Sequence, residues 1–200
     1  MKTEANDKSR AEKFTEFLEG LYERDERGAL AALRRGLGRA PGEASEMHRY
    51  IVPRVQGLKE WQENSYYIVA ALFALHPGRS WRASGDARHD TNLGASLGVL
   101  AKENKESSSV ERRFVALLNC RREELPDHLR NIVSLLKSKE IPVNWAQLIM
   151  DINFWNSESR RVQRDWARAF WSDATEAEND TNAVPSTRDA QTIGGASIAE

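Results

Sequence analysis

The sequence predicts an all-α protein made of two small helical bundles packed together, with a disordered acidic C-terminal tail. Apolar residues recur every three or four positions along most of the chain, and no run of β-branched residues alternates with the period of two that is typical of strands. A polar stretch at 102–109 divides the helices into two sets. After Trp171 the apolar pattern stops.

The first predicted bundle, residues 1–104, begins with a helical hairpin. Its apolar stripes run from Phe14 to Leu21 and from Leu30 to Leu37, and Gly36 and Gly38 suit the left-handed end of the second helix. Ser45 is expected to cap a third helix, which must be distorted or finished before Pro53. A longer fourth helix starts near Trp61 and ends at 76–78.

Residues 78–91 are rich in Gly, Arg and Asp and have no periodic apolar pattern, which predicts a long basic loop. Within it, Trp81 next to Arg82 could stack on a base, although anchoring of the loop is the more ordinary use of a tryptophan. Leu93, Leu97 and Leu100 then predict a short fifth helix that completes the first bundle.

The second predicted bundle occupies residues 105–172 and contains four helices. Ser108 and Glu111 have the spacing of a capping box, and Pro126 falls in the first turn of the next helix, where its missing N–H is tolerated. Asn144 and Ser157 are expected to cap the last two helices. Apart from Trp81, the tryptophans are expected to be packing residues.

The charge of the chain is divided unevenly. The formal net charge is −1, but residues 173–200 carry six acids and one base, which leaves 28 bases and 24 acids in residues 1–172. The folded part is therefore mildly basic, at +4, and the tail has a charge of −5. With hardly any large apolar group, the tail cannot offset its own ordering entropy.

Several function classes find no support in the composition. The single cysteine, Cys120, cannot form an internal disulfide framework, and no apolar run approaches the roughly 18 residues that span a bilayer. We therefore expect a cytoplasmic protein without membrane contact. The four histidines are scattered, so no metal is expected. We also expect no cofactor and no small-molecule substrate.

Residues 94–98 match the G-x-S-x-G pattern of hydrolases, with Ser96 in the position of the nucleophile. That mechanism needs a strand running into the turn, whereas Leu93, Leu97 and Leu100 predict a helix with small residues at a close contact. We therefore rank a hydrolase far below the other hypotheses and expect no catalysis.

The most informative charges are arginines at helical spacing. Arg160, Arg164 and Arg168 recur every four residues and lie within about 80° of one another, with Arg161 beside them. Val162, Trp166 and Phe170 point to the opposite side, so burial of that apolar stripe would turn the arginines outward. A solvated helix face explains the pattern equally well.

Other basic residues form further groups. Arginine matches phosphate oxygens in pairs, and backbone contacts would give affinity without sequence preference. Each arginine taken alone fits a structural role equally well. Together with the four arginines above, the candidate nucleic-acid-binding residues are Arg34, Arg35, Arg39, Arg82, Arg112, Arg113, Arg121, Arg122, Arg130 and Lys137.

Four segments follow one another along the chain in an order typical of one known family. They are ALAALRRGLGR at 29–39, SLG at 96–98, VERRF at 110–114 and RDWARAFW at 164–171. The similarity runs from about Phe14 to Trp171, and its motifs are diffuse. In these segments the chain resembles the CasB family, the small subunit of the type I-E CRISPR Cascade complex.

The resemblance implies a non-catalytic scaffold subunit of an RNA-guided antiviral complex, present in two copies beside other Cascade subunits. It also implies that basic patches hold the target and displaced DNA strands of the R-loop, while pairing with the guide RNA supplies specificity. The rival hypothesis is a structural helical adaptor whose arginines contact only other protein subunits.

Overall fold

The computed structural model describes residues 2–78, 91–103 and 107–181, and all regular structure within them is helical. The all-α prediction is confirmed. In the described ranges the α-helices are α1 (Lys2–Glu23), α2 (Arg27–Arg34), α3 (His48–Val55), α4 (Glu60–Leu75), α5 (Leu93–Glu103), α6 (Ser107–Asn119), α7 (Leu125–Ser138), α8 (Trp145–Asn153) and α9 (Arg161–Thr181).

One hydrophobic cluster extends from Ala11 in α1 to Phe170 in α9. α1 and α4 pack against α8, and α5 packs against α9, so the helices of the two proposed bundles share this core. The boundary near residue 104 stays a prediction.

α9 continues to Thr181, past the end expected at Trp171, and residues 182–200 of the tail lie outside the described residues.

The turn after α1 sets the path of the chain into α2. Asp25 adopts a left-handed φ of 53°, its N–H donates to the carbonyl of Tyr22 at 3.0 Å, and the N–H of Glu26 donates to Leu21 at 2.9 Å. This is a Schellman ending with an aspartate where glycine is usual. The tight turn folds α2 back, where it packs against α1 and α4.

The contact between α5 and α9 depends on two glycines. A Cβ on Gly94 would lie 2.1 Å from the carbonyl oxygen of Trp166, and one on Gly98 would lie 3.3 Å from that of Phe170. The small residues predicted at a close helix contact are therefore found there. Ser96, between them, is fully buried and donates its hydroxyl to the carbonyl of Pro142 at 2.8 Å.

Two predicted features at the helix ends are confirmed. The side chain of Asn144 accepts a hydrogen bond from the N–H of Gln147 at 3.0 Å and so caps α8. Pro126 lies in the first turn of α7.

Two other predicted caps are wrong. Ser45 lies inside the 3-10 turn Ser45–Met47 that leads into α3, and Ala44 precedes that turn without a side-chain cap. α9 begins only at Arg161, and the hydroxyl of Ser157 has no hydrogen-bond partner. In both places the chain enters the helix through a turn that the residue types do not indicate.

α3 is not finished before Pro53, since it continues through that proline and ends at Val55. A proline removes one donor from a helix, but here only two helical residues follow it. Gln56 then adopts extended geometry and Gly57 has a φ of 78°, so the helix ends close to the proline all the same.

Candidate nucleic-acid interface

Arg161, Arg164 and Arg168 are exposed on α9, and we call these three residues the α9 stripe. Arg168 Nη1 donates to Asp165 Oδ1 at 2.8 Å, and the guanidinium carbon of Arg161 lies 5.6 Å from the ring centroid of Phe154. The three guanidinium groups extend over seven residues of helix, about 10 Å. Asp165 supplies the carboxylate that partly offsets them.

Buried contacts on the opposite side of α9 hold the stripe toward solvent. Trp166 is fully buried, and its Nε1 donates to Asp151 Oδ2 at 2.6 Å. Gln163 Nε2 donates to the carbonyl of Trp155 at 2.9 Å. Burial raises the pKa of Asp151 to about 6, although the hydrogen bonds from Gln147 and Trp166 lower it. The helix therefore cannot rotate without breaking buried hydrogen bonds.

Arg160 does not belong to the α9 stripe as expected, because it precedes the first helical residue and has a left-handed φ of 48°. Its Nη2 donates to the carbonyl of Leu118 at 2.6 Å, which ties the start of α9 to the end of α6. Its side chain remains exposed at a groove that Arg121 also lines. The four-residue spacing predicted that Arg160 lies on the helix, but the helix begins one residue later, at Arg161.

Arg122 holds three segments of the fold together. Its Nη1 donates to the carbonyls of Ile152 and Asn153 at 2.7 and 3.2 Å, and its Nη2 donates to the carbonyl of Trp61 at 2.8 Å. Burial lowers the pKa of this guanidinium, and the charge of Glu123 opposes that shift. Both terminal nitrogens of Arg122 therefore donate to the backbone, which gives this arginine a structural role.

Trp61 is 42% exposed and lies beside Arg122, whose guanidinium carbon is 5.7 Å from the ring centroid. The sequence predicts a packing role for Trp61, whereas the structure leaves it on the surface, in the first turn of α4.

The remaining arginines near α6 are exposed. Arg121 follows the helix end, and Arg112 and Arg113 lie on α6 about two turns before its end at Asn119. Arg112 Nε donates to the carbonyl of Ser108 at 3.4 Å, a long hydrogen bond that lies within its own helix. These side chains therefore point away from the core.

Tertiary packing brings together two basic groups that are almost one hundred residues apart, and we call the result the α2–α7 face. At one end, Arg130 Nη1 lies 3.0 Å from where a Cβ of Gly38 would stand. At the other end, Arg34 and Lys137 line one cleft of about 510 Å³. The members of the face are Arg34, Arg35, Arg39, Arg130 and Lys137, all exposed.

Two members of the α2–α7 face are partly engaged. Arg34 Nε donates to the carbonyl of Ala74 at 2.9 Å, a bond that leaves its terminal amino groups for other partners. Arg35 forms an ion pair with Glu46. Backbone hydrogen bonding and then the bond from Arg35 lower the pKa of Glu46. Arg39 also lowers the pKa of Glu46 through its charge, and Lys137 shares its cleft with Glu140.

Some predictions lie outside the described residues. Arg82, Trp81 and the rest of the basic loop at 79–90 belong to this group. Among the residues that are described, no three His, Cys, Asp or Glu side chains are grouped as a metal site would require. None of the helices in those ranges combines the length and the apolar composition needed to cross a bilayer.

The sequence predicts a packing role for Trp171, and its ring does contact Phe114 and Phe170, but the structure leaves it 37% exposed at the end of the α9 stripe. A signal for this was present, because Trp171 follows Arg164 by seven residues and so lies on the same helix face. The apolar character of tryptophan outweighed that spacing in the prediction.

The chain is similar to known proteins over most of its length. The family model described as CRISPR-associated protein Cse2 matches residues 29–171. The CRISPR-associated protein Cse2 of Thermus thermophilus is 32% identical over 168 residues, which cover 82% of this chain and 90% of that protein.

Solved structures agree with the sequence match. The crystal structure of M. ruber CasB is 32% identical, with a TM-score of 0.68 and coverage of 88% of this chain and 98% of that one. A chain of a CRISPR RNA-guided surveillance complex is 27% identical, with a TM-score of 0.73 and coverage of 88% and 99%. The resemblance to CasB is thereby confirmed, and the chain belongs to the CRISPR-associated Cse2 family.

Proposed function

We propose that this protein is a non-catalytic scaffold subunit of a CRISPR RNA-guided surveillance complex of the type I-E Cascade kind. Its partners are the other protein subunits, a second copy of itself, and the backbones of guide RNA and target DNA. It stabilises the target and displaced strands of the R-loop during antiviral defence in the cytoplasm. The observation that carries the proposal is the α2–α7 face, which gathers cations from α7, from the end of α2 and from the turn that follows α2.

The proposed chemistry is electrostatic. Each arginine offers a planar pair of N–H donors to two phosphate oxygens, and Lys137 adds a point charge. Such contacts fix the position of a strand and do not read its bases. Base pairing with the guide would supply the sequence specificity, so the subunit needs no base readout in a groove.

Rigidity of the basic surfaces supports this role. The α9 stripe is held by buried hydrogen bonds at Trp166 and Gln163, and Arg34 is fixed by its bond to Ala74. A charged side chain that is already positioned loses less conformational freedom on binding. The contribution of each surface therefore depends on the fold as well as on charge.

The second candidate is a helical adaptor that contacts only protein subunits. The ion pairs of Arg35 with Glu46 and of Arg168 with Asp165 favour it, because they indicate that these guanidinium groups accept carboxylate partners. An adaptor would place its arginines against acidic protein surfaces and would give no crosslinks to nucleic acid.

Charge reversal in a reconstituted complex tests the proposal. One variant changes Arg39 and Arg130 to Glu, and another changes Arg161 and Arg164 to Glu. Arg122 and Arg160 are left intact, because their guanidinium groups bond to backbone carbonyls. Changing Lys8 and Lys13 to Glu on exposed positions of α1 gives a control with the same change in net charge.

We expect both arginine variants to assemble normally and to form a less stable R-loop, with a weaker dependence of affinity on salt concentration. The control should behave like the unmodified protein. Unchanged R-loop stability in both variants would disprove the proposed surfaces. Loss of assembly without any nucleic-acid crosslink in the unmodified complex would favour the adaptor.

A further inference from the structure

The α9 stripe ends in an exposed aromatic ring. Arg161, Arg164, Arg168 and Trp171 follow one another at three- and four-residue intervals, so they lie within about 80° of each other on α9. Trp171 is 37% exposed, and the three arginines before it are exposed as well. The four side chains cover about 15 Å along the helix axis.

The ring of Trp171 is held in place by two buried phenylalanines. Its centroid lies 5.5 Å from that of Phe114 and 5.0 Å from that of Phe170, with interplanar angles of 55° and 83°. Phe114 and Phe170 are themselves stacked at 4.4 Å and are almost completely buried. The indole is therefore anchored on the core while more than a third of its surface faces solvent.

We propose that the α9 stripe together with Trp171 binds a single strand of nucleic acid, with an unpaired base stacked on the indole. The proposal rests on the proposed function and adds to it the class of strand that this surface takes. The arginines hold successive phosphates, and Trp171 holds the face of a base. Exposed aromatic rings next to a row of cations are the usual means of binding single strands without sequence preference.

Charge and geometry favour a single strand over the other occupants. A duplex keeps its bases stacked on each other, so it offers the indole no free base face, and it would use the arginines alone. A protein partner could also use Trp and Arg as anchors. The three arginines of the α9 stripe recur along one helix face, which favours a partner with repeated negative charge.

Trp61 provides a matched control for Trp171. It is exposed to a similar extent, 42%, but the guanidinium beside it is that of Arg122, which bonds to backbone carbonyls. Replacing either tryptophan by leucine removes an exposed indole of comparable area. Only Trp171 lies in line with exposed arginines on its own helix face.

The experiment uses the full-length chain, alone and in the reconstituted complex, with a labelled single-stranded oligonucleotide. The same strand with abasic sites and the corresponding duplex are measured in parallel. We expect Trp171→Leu to weaken single-strand binding about tenfold and to leave duplex and abasic-strand binding nearly unchanged. Trp171→Phe should retain most of the affinity, and Trp61→Leu should match the unmodified chain.

The outcomes separate the two proposals. If Trp171→Leu binds the single strand normally while R161E/R164E weakens every nucleic acid, backbone binding stands and base stacking is wrong. Equal losses for strand and duplex, or no recovery with Trp171→Phe, would also overturn stacking. Normal strand binding with failed assembly would make Trp171 a protein contact. Absence of salt-dependent binding in any form of the protein would instead overturn the proposed function.

Discussion

Arg121 and Arg122 are adjacent in the chain and have opposite surroundings in the fold. Arg121 is exposed after the end of α6, whereas Arg122 reaches the carbonyls of Ile152, Asn153 and Trp61. Removing the charged donor costs these hydrogen bonds and leaves the carbonyls that are partly buried without their partner. The two neighbouring arginines therefore have different roles: Arg122 is structural, and Arg121 is a surface residue.

We expect Arg122→Gln to lower the free energy of unfolding by about 2 kcal/mol, since hydrogen bonds from a charged group contribute about 1.5–3 kcal/mol. Arg121→Gln should change it by no more than about 0.5 kcal/mol, as exposed substitutions usually do. Urea denaturation gives both values. Similar midpoints for the two variants would contradict the structural role assigned to Arg122.

Asp151 links stability to pH at the contact between α8 and α9. Burial raises its pKa to about 6, against opposing hydrogen bonds from Gln147 and Trp166, while Asp165 raises it further and Arg161 lowers it. An aspartate in the unfolded chain titrates near 3.9. Between about pH 4 and pH 6 the folded state therefore binds more protons than the unfolded state, and stability falls as the pH rises through that window.

Asp151→Asn removes this titration. Relative to the unmodified protein, the variant should gain up to about 3 kcal/mol between pH 4 and pH 7.5, because each pKa unit corresponds to about 1.4 kcal/mol. Its absolute stability also depends on how well the amide replaces the bonds to Trp166 and Gln147. Denaturation curves at several pH values measure the difference, and a difference that does not vary with pH would contradict the assignment.

At the scale of elements, the approach of α5 to α9 depends on a missing side chain. Gly94 lies so close to α9 that a Cβ would stand 2.1 Å from the carbonyl oxygen of Trp166. Atoms of the backbone cannot move aside as the end of a flexible side chain can. The two helices would have to separate, which would disturb the base of the α9 stripe.

Gly94→Ala should therefore destabilise the fold by about 1–3 kcal/mol, the usual cost of overpacking, even though alanine is the better helix former. Gly98→Ala should cost less, since its Cβ would be 3.3 Å from the carbonyl of Phe170. Gly28→Ala in α2 meets nothing within 4 Å and should be neutral or slightly stabilising. Thermal unfolding ranks the three, and equal melting temperatures would disprove the close contact.

At the scale of the whole molecule, the acidic tail opposes the basic core. Residues 173–200 carry a charge of −5, so ending the chain at Ser172 changes the net charge from −1 to +4. α9 carries the arginines of the stripe and, in its last residues, the first acids of the tail. Long-range repulsion of an anionic strand should therefore weaken when the tail is absent.

We expect the chain that ends at Ser172 to bind nucleic acid more tightly than the full chain at low salt. The gain should shrink as ionic strength rises, because the Debye length falls from about 30 Å at 0.01 M to about 10 Å at 0.1 M. Binding curves at several salt concentrations measure it. Equal affinities at low salt, or a gain that persists at high salt, would show that the tail does not act through its charge.

The sequence by itself determined the fold class, most of the helices and the family. The spacing of apolar residues at three and four positions is a local property, so it can be recognised without knowledge of tertiary contacts. The cap at Asn144 and the proline of α7 were equally local, since each acts within one helical turn. The opposition of arginines and apolar residues on α9 also followed from spacing.

Only the tertiary structure decided what each basic or aromatic side chain meets. It placed Arg130 beside Gly38 in the turn after α2, bonded Arg122 to three carbonyls and left Trp171 exposed on a buried phenylalanine pair. Such contacts join residues far apart in the chain, and their energies depend on burial and partners that no local pattern contains. The sequence shows which charged residues exist, and tertiary packing determines which of them face solvent.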